Sequence, residues 1–186
     1  EEKLPDWHDI DASDATFKIA DNEPITGAVA EAVFTHLQTA NTYGQCPLHL
    51  RFVMRLISEA MEVLKKRSVL QDIRVKGQKM TVVGDIHGQI FDLVHLFEVH
   101  GLPSETNMYL FNGDFVDRGS FGVECVCALF AFMIAYPNSF YLARGNHETR
   151  SMCAGYGFQD DLVRKFADDA PALFDRFCAL FRSLPL

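Results

Sequence analysis

No stretch of apolar residues in this sequence is long enough to cross a bilayer. The longest, Cys125 to Tyr136, falls well short of the roughly 20 residues a spanning helix needs and reads as a buried helix instead. Positive charge is scarce: 17 Lys and Arg face 25 Asp and Glu, for a formal net charge of -8. That excludes a generally basic nucleic-acid surface, while a local positive pocket for a phosphate stays open. The cysteines, Cys46, Cys125, Cys127, Cys153 and Cys178, include no CxxC pair. An odd, scattered set does not make a disulfide framework, so reduced thiols and an intracellular setting, cytoplasmic or nuclear, are expected. The chain also lacks an initiator Met and a basic-then-apolar leader, opening on Glu1-Glu2-Lys3-Leu4-Pro5. It reads as a piece cut from something longer. No internal repeat or low-complexity tract occurs.

What is present suffices for a folded domain: 186 residues, 48% of them hydrophobic and 23% charged, lie in the ordinary globular range. Residues 1–23 are acidic and irregular and read as a linker or arm; residues 24–186 carry the periodic patterns of a domain. Two helices are expected first. One starts near Pro24, with Asp21 or Asn22 as cap, and runs to Thr39. The other runs from Pro47 to Lys66, where Leu50, Val53, Met54, Ile57, Met61 and Leu64 recur at spacings of three and four. Short strands then alternate with helices: strands at Val69–Val75, Lys79–Val83, Asn107–Phe111 and Ser139–Ala143, helices at Ile90–His100 and Phe121–Ala135. Two more helices follow, broken near Pro171. Such alternation predicts an α/β fold with a largely parallel sheet built from β-α-β units.

The functional signal sits where three of these strands end. Lys79–Val83 runs into Gly84-Asp85-Ile86-His87-Gly88. Asn107–Phe111 runs into Gly113-Asp114-Phe115-Val116-Asp117-Arg118-Gly119, and Ser139–Ala143 into Gly145-Asn146-His147-Glu148. In an open α/β sheet, ligands gather beyond the carboxyl ends of the strands. Neighbouring strands would therefore bring Asp85, His87, Asp114, Asn146 and His147 into one small volume. Carboxylate, imidazole and amide oxygen suit Mn²⁺, Fe or Zn²⁺, and a central carboxylate such as Asp114 could bridge two ions. Arg118 has the planar fork that clamps a phosphate. His147 beside Asp117 suits proton donation to a leaving group. Singly, each feature has a plainer reading: a helix cap, a surface ion pair, an ordinary hydrogen-bonded histidine. The conjunction does not, because caps have no reason to bring His and Arg along. His8, His36, His49, His95 and His100 lack partners at ligand spacing.

GDIHGQ (84–89), GDFVDRG (113–119) and RGNHE (144–148) resemble the three signature blocks of the phosphoprotein phosphatase family, with surrounding residues most similar to its protein phosphatase 5 branch. The resemblance covers residues 47–186. It implies the N-terminal half of a calcineurin-like metallophosphoesterase β-sandwich flanked by helices, and a partial catalytic domain over residues 24–186. It implies Asp85, His87 and Asp114 as ligands of one metal, Asp114 and Asn146 as the first ligands of a second, and Arg118, Asn146 and His147 as the phosphate-binding set. His147, Asp117 and Arg118 are the implied catalytic residues. The implied reaction is attack of a two-metal-activated hydroxide on phosphoserine or phosphothreonine esters of protein substrates. The family draws two further His ligands and a second Arg from its C-terminal half, and no His follows His147 here. The second site is therefore expected to stay empty, and the chain alone to be inactive or weakly active. Exposed sheet surface, with self-association through it, is the expected structural consequence. Neither nucleic acid nor membrane is an expected partner. The alternatives are a different metallophosphoesterase and a catalytically dead binding module.

Overall fold

The computed structural model describes residues 5–39, 46, 48–75 and 77–186. The first helix, α1 (Gly27–Thr39), starts later than the sequence suggests. Its cap is Thr26, which accepts the Val29 amide on its hydroxyl (3.4 Å) and the Ala30 amide on its carbonyl (2.9 Å). Asp21 and Asn22 are denied that role because Arg55 donates to the carbonyls of Ala20 (3.0 Å) and Glu23, holding this stretch out of the helix. The second helix, α2 (Leu50–Lys65), is capped by His49, whose Nδ1 accepts the Arg51 amide at 3.2 Å. Pro47, its expected start, and Glu1 to Leu4 of the acidic arm lie outside the described residues. The rest of the arm packs down rather than hanging free. Trp7, Ile10, Phe17 and Ile19 rest against the core, and the Trp7 ring lies 5.8 Å from the Arg51 guanidinium and 5.5 Å from that of Arg55.

Residues 69–75, expected as a strand, form none. A β-branched, apolar stretch needs a neighbour with free backbone groups. Here Arg67 already donates to the carbonyls of Pro137 (2.7 Å) and Phe140 (3.1 Å), and the backbone donors that reach this stretch are isolated: the Leu186 amide to Val69 and the Gln78 amide to Val75, each at 3.0 Å. The side chains of Val69 and Leu70 stand exposed.

Three parallel strands form the sheet in the order β1 (Lys79–Val83), β2 (Asn107–Phe111), β3 (Phe140–Leu142). Helices α3 (Ile90–His100) and α4 (Gly122–Ala135) supply the crossovers. Register places Val83, Phe111 and Leu142 side by side, so the three following loops leave the sheet level with one another. One sheet face is aromatic: Tyr109, Phe111 and Phe140 meet Phe97 of α3 and Phe132 of α4 largely edge to face, with ring centroids 5.3–6.4 Å apart. Every residue of α4 from Gly122 to Met133 is buried. A helix apolar all round must be covered all round, and α1, α2, α3 and α6 (Phe158–Phe166) do so. The sequence suggests the last two helices but not the short α5 (Arg150–Gly155) before them. The break between α6 and α7 (Ala170–Arg182) falls at Ala167–Asp169, so Pro171 lies in the first turn of α7, where it lacks only an amide the helix does not use. The opposite sheet face is thinly covered. Val82 is 64% exposed, Leu110 and Tyr141 are half-buried, and β1 and β3 each pair only with β2 among the described residues.

Candidate metal centre

The three loops are locked together by backbone before any side chain is considered. The Ile86 and His87 amides both donate to the Asp114 carbonyl (3.0 Å each), and Gly88 donates to Phe115 (2.8 Å). Gly113, at φ +97°, and Gly145 stand back to back: a Cβ on Gly113 would lie 2.3 Å from the Gly145 nitrogen, and one on Gly145 only 2.2 Å from Oδ1 of Asp114. Gly145→Ala is therefore expected to push the Asp114 carboxylate aside and cost about 1–3 kcal/mol, read as a lowered urea midpoint. An unchanged midpoint would show that the two loops can part freely.

Four side chains singled out by sequence sit on left-handed backbone: His87 (φ +47°), Asp114 (+56°), Asp117 (+70°) and Arg118 (+66°). Each such residue costs about 1–3 kcal/mol and persists only where its surroundings overdetermine it. That strain aims the side chains inward. His87, Asp114 and His147 each offer a ligand atom, all within 4.8 Å of one another. The Nδ1 of His87 lies 2.8 Å from the Val116 carbonyl, so it carries the proton and Nε2 keeps its lone pair. That Nε2 is buried without a hydrogen-bond partner, which is what a metal-binding imidazole looks like before its ion arrives. The donor set therefore fits a divalent cation. Asp85 is more peripheral, its carboxylate 3.6 Å from His87 Nε2 and 67% exposed. Asn146 is exposed at the rim, its carbonyl taking the Thr149 hydroxyl at 2.8 Å.

His147 and Asp117 form a buried pair, Nδ1 to Oδ2 at 2.7 Å. The other Asp117 oxygen accepts the Phe158 amide (2.9 Å), so the carboxylate cannot swing. The Nη2 of Arg118 stands 3.4 Å from His147 Nε2, while the Arg118 amide donates to the Tyr156 carbonyl (2.9 Å). The His147 amide donates to Asp114 Oδ1 (2.9 Å), and the Cys153 thiol donates to the His147 carbonyl (3.1 Å).

Sequence reasoning assigned no role to Glu148, the last residue of its own motif. Its buried carboxylate accepts amides from Asp114 (2.8 Å), Phe115 (2.7 Å) and Gly145 (3.0 Å), clasping the second loop to the third. Burial pushes its carboxyl above the usual range against the pull of those amides. A second missed group is Lys165, buried under the Arg118 loop. It donates to the Ser120 carbonyl (3.0 Å) and pairs with Glu124 (2.5 Å) and Asp161 (2.8 Å). Residue spacing does not announce this contact, since Lys165 lies 41 positions from Glu124.

A mixed carboxylate–imidazole cluster at the carboxyl ends of a parallel sheet, with an arginine at its mouth, defines a phosphoesterase type of site. Residues 79–186 match the family described as Calcineurin-like phosphoesterase, and the chain belongs to that family. It is 46% identical over 143 residues to Serine/threonine-protein phosphatase 5 of Homo sapiens and 48% identical over 144 residues to its counterpart in Arabidopsis thaliana. These matches span 76% and 77% of this chain but only 28% and 26% of the relatives. A Serine/threonine-protein phosphatase T of Trypanosoma brucei brucei is 40% identical over 167 residues, covering 89% of this chain and 34% of its own length. Among solved structures, a Saccharomyces cerevisiae protein serine/threonine phosphatase with similarity to human phosphatase PP5 superposes with a TM-score of 0.70 and 37% identity. That match covers 75% of this chain and 44% of the other. The calcineurin-like α/β fold is thereby established, with a parallel three-stranded sheet and flanking helices.

Proposed function

We propose that the protein to which this chain belongs is a metal-dependent serine/threonine phosphatase acting on phosphoproteins. The observation that carries this reading is the buried His147–Asp117 pair at 2.7 Å, set beside the unpartnered Nε2 of His87 and the carboxylate of Asp114. Asp85, His87 and Asp114 would hold one divalent ion; Asp114 and Asn146 would begin the site of a second, with Mn, Fe or Zn suited to the donors. Bound ions would supply Lewis acidity toward the phosphoryl group and an attacking water. Arg118 binds the phosphate oxygens through its fork. Asp117 accepts the Nδ1–H of His147 and supports the imidazolium form, whose Nε2–H is the proton delivered to the departing serine or threonine oxygen. Glu148 and Lys165 keep the loops in place and touch no substrate.

On its own the chain offers two ligands for a second ion, and we expect it to turn over slowly if at all. We read residues 1–23 as an arm and 24–186 as part of the catalytic domain. The free thiols, four of them buried, support an intracellular setting; extensive disulfide formation in protein isolated without reductant would contradict it. Among the described residues no helix is long and apolar enough to cross a membrane.

The test is hydrolysis of a phosphoserine peptide with added Mn²⁺, for this chain beside a version carrying whatever coding sequence surrounds it. His147→Gln in the active version is expected to lower kcat by about 10²–10⁴-fold while Mn²⁺ remains bound. Undiminished turnover in that variant would remove His147 from the reaction. Light scattering on the same samples addresses the bare sheet face, with concentration-dependent mass expected for this chain and a strict monomer counting against self-association.

A further inference from the structure

Behind the candidate metal centre, between α5 and α7, lies a cavity of about 570 Å³ lined by Arg144, Arg150, Ser151, Ala154, Cys178 and Arg182. Three arginines lining one hollow are unexpected in a chain of net charge -8. One of them is partly neutralised: Arg150 donates to Asp175 at 2.5 Å and lies 5.3 Å over the Phe174 ring. Among the described residues, Arg144 and Arg182 form no ion pair. Arg144 is also held in place, its Nε donating to the Glu148 carbonyl at 3.1 Å, with its terminal nitrogens left over for a ligand. Like charges facing one hollow repel, and the arrangement relaxes when an anion sits among them.

We infer that this cavity is an anion site for a phosphate monoester dianion, separate from the candidate metal centre. Guanidinium forks match paired phosphate oxygens. The hollow is far larger than a bare phosphate, leaving room for the side chain and backbone that carry one, with Ala154 and Cys178 offering apolar contact. A phosphorylated segment of a protein is therefore the favoured source, free inorganic phosphate the other. None of Asp85, His87, Asp114, Asp117, Arg118, Asn146 or His147 lines the cavity, and the inference holds whether or not the chain hydrolyses phosphate esters.

The experiment uses the 186-residue chain with Arg118→Gln and without metal, so that phosphate held at the candidate metal centre does not register. A labelled phosphoserine peptide and its unphosphorylated twin are titrated by fluorescence anisotropy, and inorganic phosphate by competition. The phosphorylated peptide is expected to bind at least about tenfold tighter than its twin. Adding Arg150→Gln or Arg182→Gln should each weaken it by about tenfold, with unchanged circular dichroism melts showing that these surface positions still fold. Competition by phosphate at concentrations as low as those of the peptide would assign the cavity to the free ion, within the same chemistry. Equal binding of the twin, or affinity indifferent to Arg150 and Arg182, would overturn the assignment.

Discussion

Replacing Asp114 with asparagine is expected to weaken Mn²⁺ binding by more than about a hundredfold, because losing even an outer-shell partner of a metal site costs about 10–100-fold. Asp114 is the hub of the cluster. Its Oδ1 takes the His147 amide (2.9 Å), its carbonyl takes two amides of the first loop, and its own amide goes to Glu148 (2.8 Å). Asparagine keeps nearly the same shape and can still accept the His147 amide, so the fold should survive while the charge is lost. His87→Ala should behave similarly, since it deletes a buried imidazole nitrogen that has no hydrogen-bond partner. Isothermal titration separates the outcomes: an Asp114→Asn chain that binds Mn²⁺ as tightly as the parent would mean the cluster is not a metal site.

The second large effect concerns stability. Lys165→Met should destabilise the chain by about 3–5 kcal/mol at neutral pH, the usual consequence of deleting one member of a buried ion pair. One ammonium here faces two carboxylates, Glu124 and Asp161. Burial alone would lower the Lys165 pKa, yet the two carboxylates outweigh it and raise the pKa above the usual range. The stabilisation Lys165 provides is thus complete below the unfolded-state pKa of lysine and disappears only as pH climbs through the raised folded value. Glu124 responds in the opposite sense. Burial pushes its carboxyl up, with Lys165 pulling only partly back. As pH falls through that raised value toward the ordinary range of glutamate, the folded state takes up a proton before the unfolded state does and gains stability. Without Lys165 that gain should be larger and begin at higher pH. The deficit of Lys165→Met measured by urea denaturation should therefore shrink between pH 7 and pH 5, and adding Glu124→Gln should recover part of it at pH 7. A deficit below about 1 kcal/mol at neutral pH would mean that water reaches and solvates the pair.

How far the site is legible in the sequence depends on the range of the interactions that build it. Asp85 and His87, Asp114 to Arg118, and Asn146 to His147 each follow a strand within a few residues, so each cluster is written locally. The parallel register that levels Val83, Phe111 and Leu142 then brings the clusters together. Capping choices were less legible. The local chemistry favoured Asp21 and Asn22 for α1, but a distant arginine on α2 took their neighbours' carbonyls and moved the start to Thr26.

Sequence alone was enough to establish an α/β chain with three strand ends carrying metal-site and phosphate-site side chains, because strand periodicity and glycine-led turns are local properties. Tertiary structure decided the rest. It left residues 69–75 without a strand, with the nearby Phe140 carbonyl taken by Arg67 and only isolated backbone bonds reaching the stretch. It made Glu148 a clasp between loops and Lys165 the cation beneath one of them, since both roles exist only when segments far apart in the chain are packed without water. It also set Arg144, Arg150 and Arg182 around one hollow, where α7 folds back beside α5 and distance along the chain no longer separates charge.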